Sequence, residues 1–132
     1  MREIKFRIWD KNNLKNDKQM LYMKDITREE VKNEGSYKEK VLNILTYINS
    51  TRYIVMQYTG FKDKNGVEIY EGDIVYVTSN TMEINEPMKV VFEDFMYKVV
   101  SKTHSLVLAA PANSWTIIVI GNIYKNKELL NV

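Results

Sequence analysis

The chain has 132 residues, of which 45% are hydrophobic and 27% charged, and it contains no cysteine. That balance suits one folded domain, or one domain with an extension, and the missing cysteines exclude a disulfide scaffold or a thiolate metal site. The net charge of +2 is only mildly uneven: residues 1–40 hold 11 Lys/Arg against 8 Asp/Glu (+3), and residues 41–132 hold 8 against 9 (−1), which falls short of the basic stripe of a committed nucleic-acid binder.

The opening residues, Met1-Arg2-Glu3-Ile4-Lys5, are charged with no apolar stretch behind them, so no signal peptide is expected. Apolar runs such as Ile117 to Ile120 are far too short to cross a bilayer, so no membrane partner is expected and the location expected is the cytoplasm. Glu3 to Trp9 alternates with Ile4, Phe6 and Ile8 on one face, which predicts a half-buried strand. Asp10 to Asp17 reads as a loop and Met20 to Met23 as a short return strand. Thr27-Arg28-Glu29-Glu30 has the form of a capping box, in which hydroxyl and carboxylate satisfy each other's backbone N–H groups, and predicts a short helix to about Asn33. The apolar residues of 36–49 fit a helical stripe or a strand face; Lys, Glu and Leu favour helix.

Tyr53 to Tyr58 reads as a central strand, apolar on both faces. Asn65-Gly66 then predicts a type I′ hairpin turn, with positive φ at both residues, and Val67 to Tyr70 is its return strand. Glu71-Gly72-Asp73 reads as a second turn before a strand at Ile74 to Val77, with Asp73 hydrogen-bonded to local backbone. Met88 to Phe92, Phe95 to Val100, Ser105 to Ala109 and Trp115 to Tyr124 are further strands, punctuated by Pro87 and by Pro111-Ala112-Asn113. Asn126 to Leu130 reads as a closing helical turn. Closely spaced short strands of this kind predict a small barrel or sandwich.

Three blocks of this sequence carry a family resemblance. Arg2-Glu3-Ile4-Lys5-Phe6-Arg7-Ile8-Trp9-Asp10 resembles the opening of YopX-like proteins, which bacteriophages and prophages encode. The stretch from Met56-Gln57-Tyr58-Thr59-Gly60-Phe61 through Asp63-Lys64-Asn65-Gly66 to Glu71-Gly72-Asp73-Ile74-Val75 resembles that family's central signature. Ile120-Gly121-Asn122-Ile123-Tyr124, followed by Glu128-Leu129-Leu130, is similar to its C-terminal ending. The resemblance implies an SH3-type barrel and a phage or prophage gene product in a bacterial cytoplasm. It carries over no activity and no catalytic residue, the family being one of uncharacterised function. The fold expected is therefore mainly β with one or two short helices: an N-terminal α+β extension over residues 1–55, packed as one unit with a C-terminal SH3-type small β-barrel over residues 56–132.

The chemistry-bearing residues are sparse. His104 is the only histidine, and no G-x-S-x-G nucleophile elbow is present. Glu68, Glu71 and Asp73 form a carboxylate group near a turn, but without EF-hand spacing. Gly60, Gly66, Gly72 and Gly121 stand in no phosphate-loop frame and read as turn or close-approach positions. No catalytic residue, cofactor or metal is expected. Tyr76, Tyr97 and Tyr124 with Lys89, Lys98 and Lys125 form a candidate nucleic-acid or partner surface, since bases stack on exposed aromatics framed by cations. The leading expectation is a non-enzymatic binding or assembly module that forms a homo-oligomer, Ile117, Val119 and Ile123 supplying apolar surface to cover, or that binds a host or phage protein. The alternative is a nucleic-acid-binding accessory protein of phage DNA or RNA metabolism.

Overall fold

The alternation at the start of the chain does form a strand, β1 (Phe6–Asp10), in a computed structural model that describes residues 5–12, 19–22, 51–109 and 115–131. The helices expected over 27–33 and 36–49 and the break at 111–113 lie outside the described residues. Two compact units divide the chain, Glu3–Gln57 and Tyr58–Val132.

Within the first unit, β1 pairs antiparallel with β2 (Met20–Tyr22) on one side, Ile8 opposite Leu21. On the other side it pairs with the opening half of β3 (Tyr53–Lys62), Ile8 opposite Val55. Both faces of β1 are covered, which departs from the half-buried expectation. Arg7 is only 3% exposed and donates through Nη2 to the Met56 sulfur. Asp10 is buried too, gripped by Arg52 through Nε at 2.7 Å and Nη2 at 3.0 Å.

Within the second unit, the closing half of β3 pairs with β4 (Glu68–Tyr70). The chain then builds an antiparallel sheet from β5 (Asp73–Ser79), β6 (Ile84–Glu93), β7 (Met96–Val100), β8 (Ser105–Val107) and β9 (Thr116–Asn122), in the order β8-β7-β6-β5-β9. A 3-10 helix, Lys127–Asn131, follows where the closing helical turn is expected. The described part is therefore mainly β and antiparallel. Cross-strand partners share a face, so Val75, Val77, Met88, Val90 and Val99 line one side of the sheet with Ile69 and form the core. Burial of this apolar set is the main favourable term in holding the sheet. Ile117 and Val119 pack against it and stay partly buried.

Two further sequence expectations change. Pro87 does not break a strand but lies inside β6, opposite Tyr76. It is tolerated because β7 joins β6 only from Lys89 onward, so at Pro87 the strand has a ladder partner on one side alone. The turn at Asn65-Gly66 is not type I′. Gly66 has φ of +82° but Asn65 is not among the positive-φ residues, and Gly66 N–H donates to the Asp63 carbonyl at 3.0 Å. This is a type I turn closed by a left-handed glycine. The type I′ geometry sits instead between β6 and β7, where Asp94 (φ 52°) and Phe95 (φ 64°) both have positive φ. No helix among the described residues is long and apolar enough to cross a membrane.

Candidate functional site

The carboxylates of the signature hairpin are spent on backbone. Asp63 accepts from Asn65 and Val67 N–H through Oδ1 at 2.8 and 2.9 Å, and from Val119 N–H through Oδ2 at 2.9 Å. Asp73 accepts from Tyr70 N–H at 2.8 Å, the local bond its position in the turn predicts. Thr59 donates its hydroxyl to the Ile69 carbonyl at 2.7 Å, tying β3 to β4. Gly72 sits at a crossing: its N–H donates to the Val90 carbonyl and its own carbonyl accepts from Ile123 N–H. Glu68, Glu71 and Asp73 build no cluster, and no group of three metal-ligating side chains comes together among the described residues.

His104 has company that its sequence neighbours only half reveal. Its Nδ1 lies 2.6 Å from Glu86 Oε1 and 2.9 Å from Thr103 Oγ1. Glu86 comes from β6, on the same face as Met88, and reaches past the end of β7 to the Ser101–His104 loop. The Ser101 hydroxyl donates to Glu86 Oε1 at 3.0 Å and accepts from the N–H groups of Thr103 and His104 at 3.3 and 3.0 Å. Burial pushes the Glu86 carboxyl up, but the hydrogen bonds from His104, Ser101 and Thr103 and the His104 charge outweigh it, so the group lies below its ordinary value. The Ser101 hydroxyl donates to the carboxylate and accepts two N–H groups of its own loop, whereas the serine of a Ser-His-Asp triad hands its proton to an imidazole nitrogen. The cluster clamps a loop. Glu86 and Thr103 also line a groove of about 470 Å³ with Lys89, Lys102 and Leu130.

The six residues proposed from sequence as one surface are divided. Tyr76, Lys89 and Lys98 share the sheet face opposite the core, as the β5–β6 and β6–β7 registers require. Tyr97, next along β7, faces the other way, is 8% exposed, and packs on Phe92 with ring centroids 4.9 Å apart. The Tyr76 hydroxyl donates to the Asn85 carbonyl at 3.3 Å. The Lys98 ammonium donates to Asp94 at 2.8 Å. Tyr124 and Lys125 lie in the turn after β9, where their N–H groups donate to Asn122 Oδ1 at 3.0 and 2.9 Å.

What sequence reading missed is the tip of the β6–β7 hairpin. Phe95, read from sequence as a strand residue, stands at the turn with 97% of its surface exposed, flanked by the half-exposed Phe92 and by Met96. The available signal was the two-residue spacing of Asp94-Phe95 between strands, with an Asp, which tolerates left-handed backbone, at its first position.

Two solved structures resemble this fold. The YopX protein of Bacillus subtilis matches with a TM-score of 0.56 and 22% identity, covering 96% of this chain and 97% of that one. Protein EF1440 of Enterococcus faecalis matches with a TM-score of 0.57 and 22% identity, covering 98% of this chain and 99% of that one. No curated protein matches the chain. The family model described as YopX protein matches residues 5–131, nearly the whole length from β1 to the closing 3-10 helix, and the chain belongs to the YopX family.

Proposed function

We propose that this YopX family protein is a non-enzymatic binding and assembly module that self-associates. The observation that carries this reading is Phe95. A side chain at left-handed φ costs about 1–2 kcal/mol relative to an ordinary position, and this one is fully exposed as well. Strain and an uncovered aromatic at one residue are both offset when a partner buries the ring. The non-catalytic part is supported by Ser101, whose hydroxyl oxygen accepts the Thr103 and His104 N–H groups and so holds its own loop.

On the same reading, Tyr58–Val132 is an SH3-type barrel preceded by an N-terminal extension. The five-strand antiparallel order, with the last strand returning beside β5 and a 3-10 helix behind it, supports this. The resemblance adds the setting of a phage or prophage gene product in a bacterial cytoplasm, with host or phage proteins as further partners. Nucleic-acid binding has less support, because Tyr97 is buried and Lys98 is held by Asp94.

Light scattering and sedimentation over a wide concentration range test the assembly reading. The expected result is a mass that rises with concentration; a strict monomer at the highest concentration overturns it.

A further inference from the structure

We infer that copies of this chain join head to tail, the Phe95 ring of one copy seated in an aromatic cleft of the next. The inference rests on the assembly reading above and names the two surfaces that meet. The cleft is a hollow of about 370 Å³ lined by Phe61, Ile69, Leu108, Trp115 and Ile117. Phe61, Trp115 and Ile117 are only partly buried and pack on the core, so the hollow has a fixed floor. An apolar cavity of roughly 150 Å³ already accepts a benzene ring, so this one takes a phenyl ring together with the turn that carries it. Phe95 does not fill its own cleft, being almost fully exposed.

The charges around the two surfaces are complementary. Exposed Lys62 and Lys64 stand at the cleft, and the Asp63 carboxylate between them is buried and taken up by three backbone N–H groups. Exposed Glu93 and Asp94 precede Phe95, with Lys98 beside them, bonded to Asp94 and also within the field of Glu93. An acidic knob thus meets a basic rim, which favours this pairing over knob against knob or rim against rim. The Phe92–Tyr97 ring contact stiffens the hairpin, so little ordering is required on docking. Knob and cleft are different patches, so the contact is heterologous: each copy offers one of each, and repetition gives a ring or an open filament.

Two variants test this. Phe95→Asn removes the ring while keeping a residue that accepts left-handed backbone. Ala109→Trp places a bulky side chain at an exposed position lining the cleft. In sedimentation velocity, each variant alone is expected to self-associate at least about tenfold more weakly than the native chain. Mixed in equal amounts they are expected to form a 1:1 dimer and nothing larger, because the surviving knob of one meets the surviving cleft of the other. Raised salt is expected to weaken that dimer. If the native chain assembles and either folded variant assembles equally well, another surface carries association; the head-to-tail inference fails while the assembly reading stands. If both variants abolish assembly but their mixture stays monomeric, the contact is not heterologous and the inference fails. A native chain that never assembles removes both.

Discussion

The Asp63 carboxylate accepts the Val119 main-chain N–H at 2.9 Å, joining the turn that follows β3 to the middle of β9 across 56 residues of sequence. Its other oxygen holds the Asn65 and Val67 amides of its own turn. The Lys64 N–H adds a bond to the Ile117 carbonyl at 3.0 Å, so the turn covers part of one edge of β9. That makes Asp63 a strut within the family signature.

Asp63→Ala is therefore expected to be among the most damaging changes in the hairpin. A hydrogen bond to a charged group contributes roughly 1.5–3 kcal/mol, and amides left unpaired add a desolvation cost. A loss of about 3 kcal/mol or more follows, read as a lower urea midpoint with little change in slope. Asp63→Asn keeps one acceptor oxygen and should recover part of the loss. A change within about 0.5 kcal/mol for Asp63→Ala, the range of an ordinary surface substitution, would remove the strut role.

Gly121→Ala is expected to destabilise through one neighbour. A Cβ at this position would stand 2.5 Å from Asn126 Oδ1 and 2.9 Å from its Cβ. Asn126 cannot swing away freely: its N–H donates to the Asn122 carbonyl and its Oδ1 accepts from Asn122 N–H. Overpacking of this kind costs roughly 1–3 kcal/mol. In a double-mutant cycle, Gly121→Ala should cost less in an Asn126→Gly background, where the clashing side chain is gone. Strict additivity would place the strain elsewhere.

Much of the β framework was readable because period-2 alternation and turn chemistry are local. β4 and β5 lie within two residues of their expected bounds, β3 starts where expected but runs four residues past Tyr58, and Asp63 and Asp73, read as turn positions, are found binding backbone. The turn type at Asn65-Gly66 was not readable from its two residues, because Asp63 captures the amides on both sides and imposes another geometry. The second face of β1 was hidden for a similar reason. Arg7 looks like a solvent-facing residue in an alternating strand, yet its guanidinium is buried against Met56. The proposed Tyr–Lys surface failed as a unit because neighbouring residues on one strand, Tyr97 and Lys98, necessarily face opposite ways. Glu86 and His104, 18 residues apart, meet only because the loop after β7 folds back toward β6.

That meeting predicts an acid-dependent contribution to stability. Glu86 has a folded-state value below its ordinary 4.5. For a depressed carboxyl the stabilisation is complete above the unfolded value and is lost as pH falls through the folded one. The native chain should thus be more stable than Glu86→Gln near neutral pH, with the gap closing as the medium is acidified from about pH 6 to about pH 3. The effect should be small, since both side chains are partly exposed and screened by water. Urea midpoints of the two proteins along that pH series check it. A gap that persists unchanged at the acid end would mean that the carboxylate charge is not what the loop relies on.

Phe95 gives the last prediction, one in which stability and function move in opposite directions. Phe95→Asn leaves the turn its left-handed backbone but places there a residue that accepts it more readily. The ring has 97% of its surface exposed, so the folded monomer loses almost no packing with it. The substitution should raise stability by about 0.5–1 kcal/mol, seen as a higher melting temperature at a concentration where sedimentation shows a monomer. The native residue would then be one kept at a cost to the monomer, as expected of a side chain that serves a contact. A variant that melts lower than the native chain under those conditions would show that Phe95 stabilises the hairpin itself, and would take away the strain on which its proposed role in assembly rests.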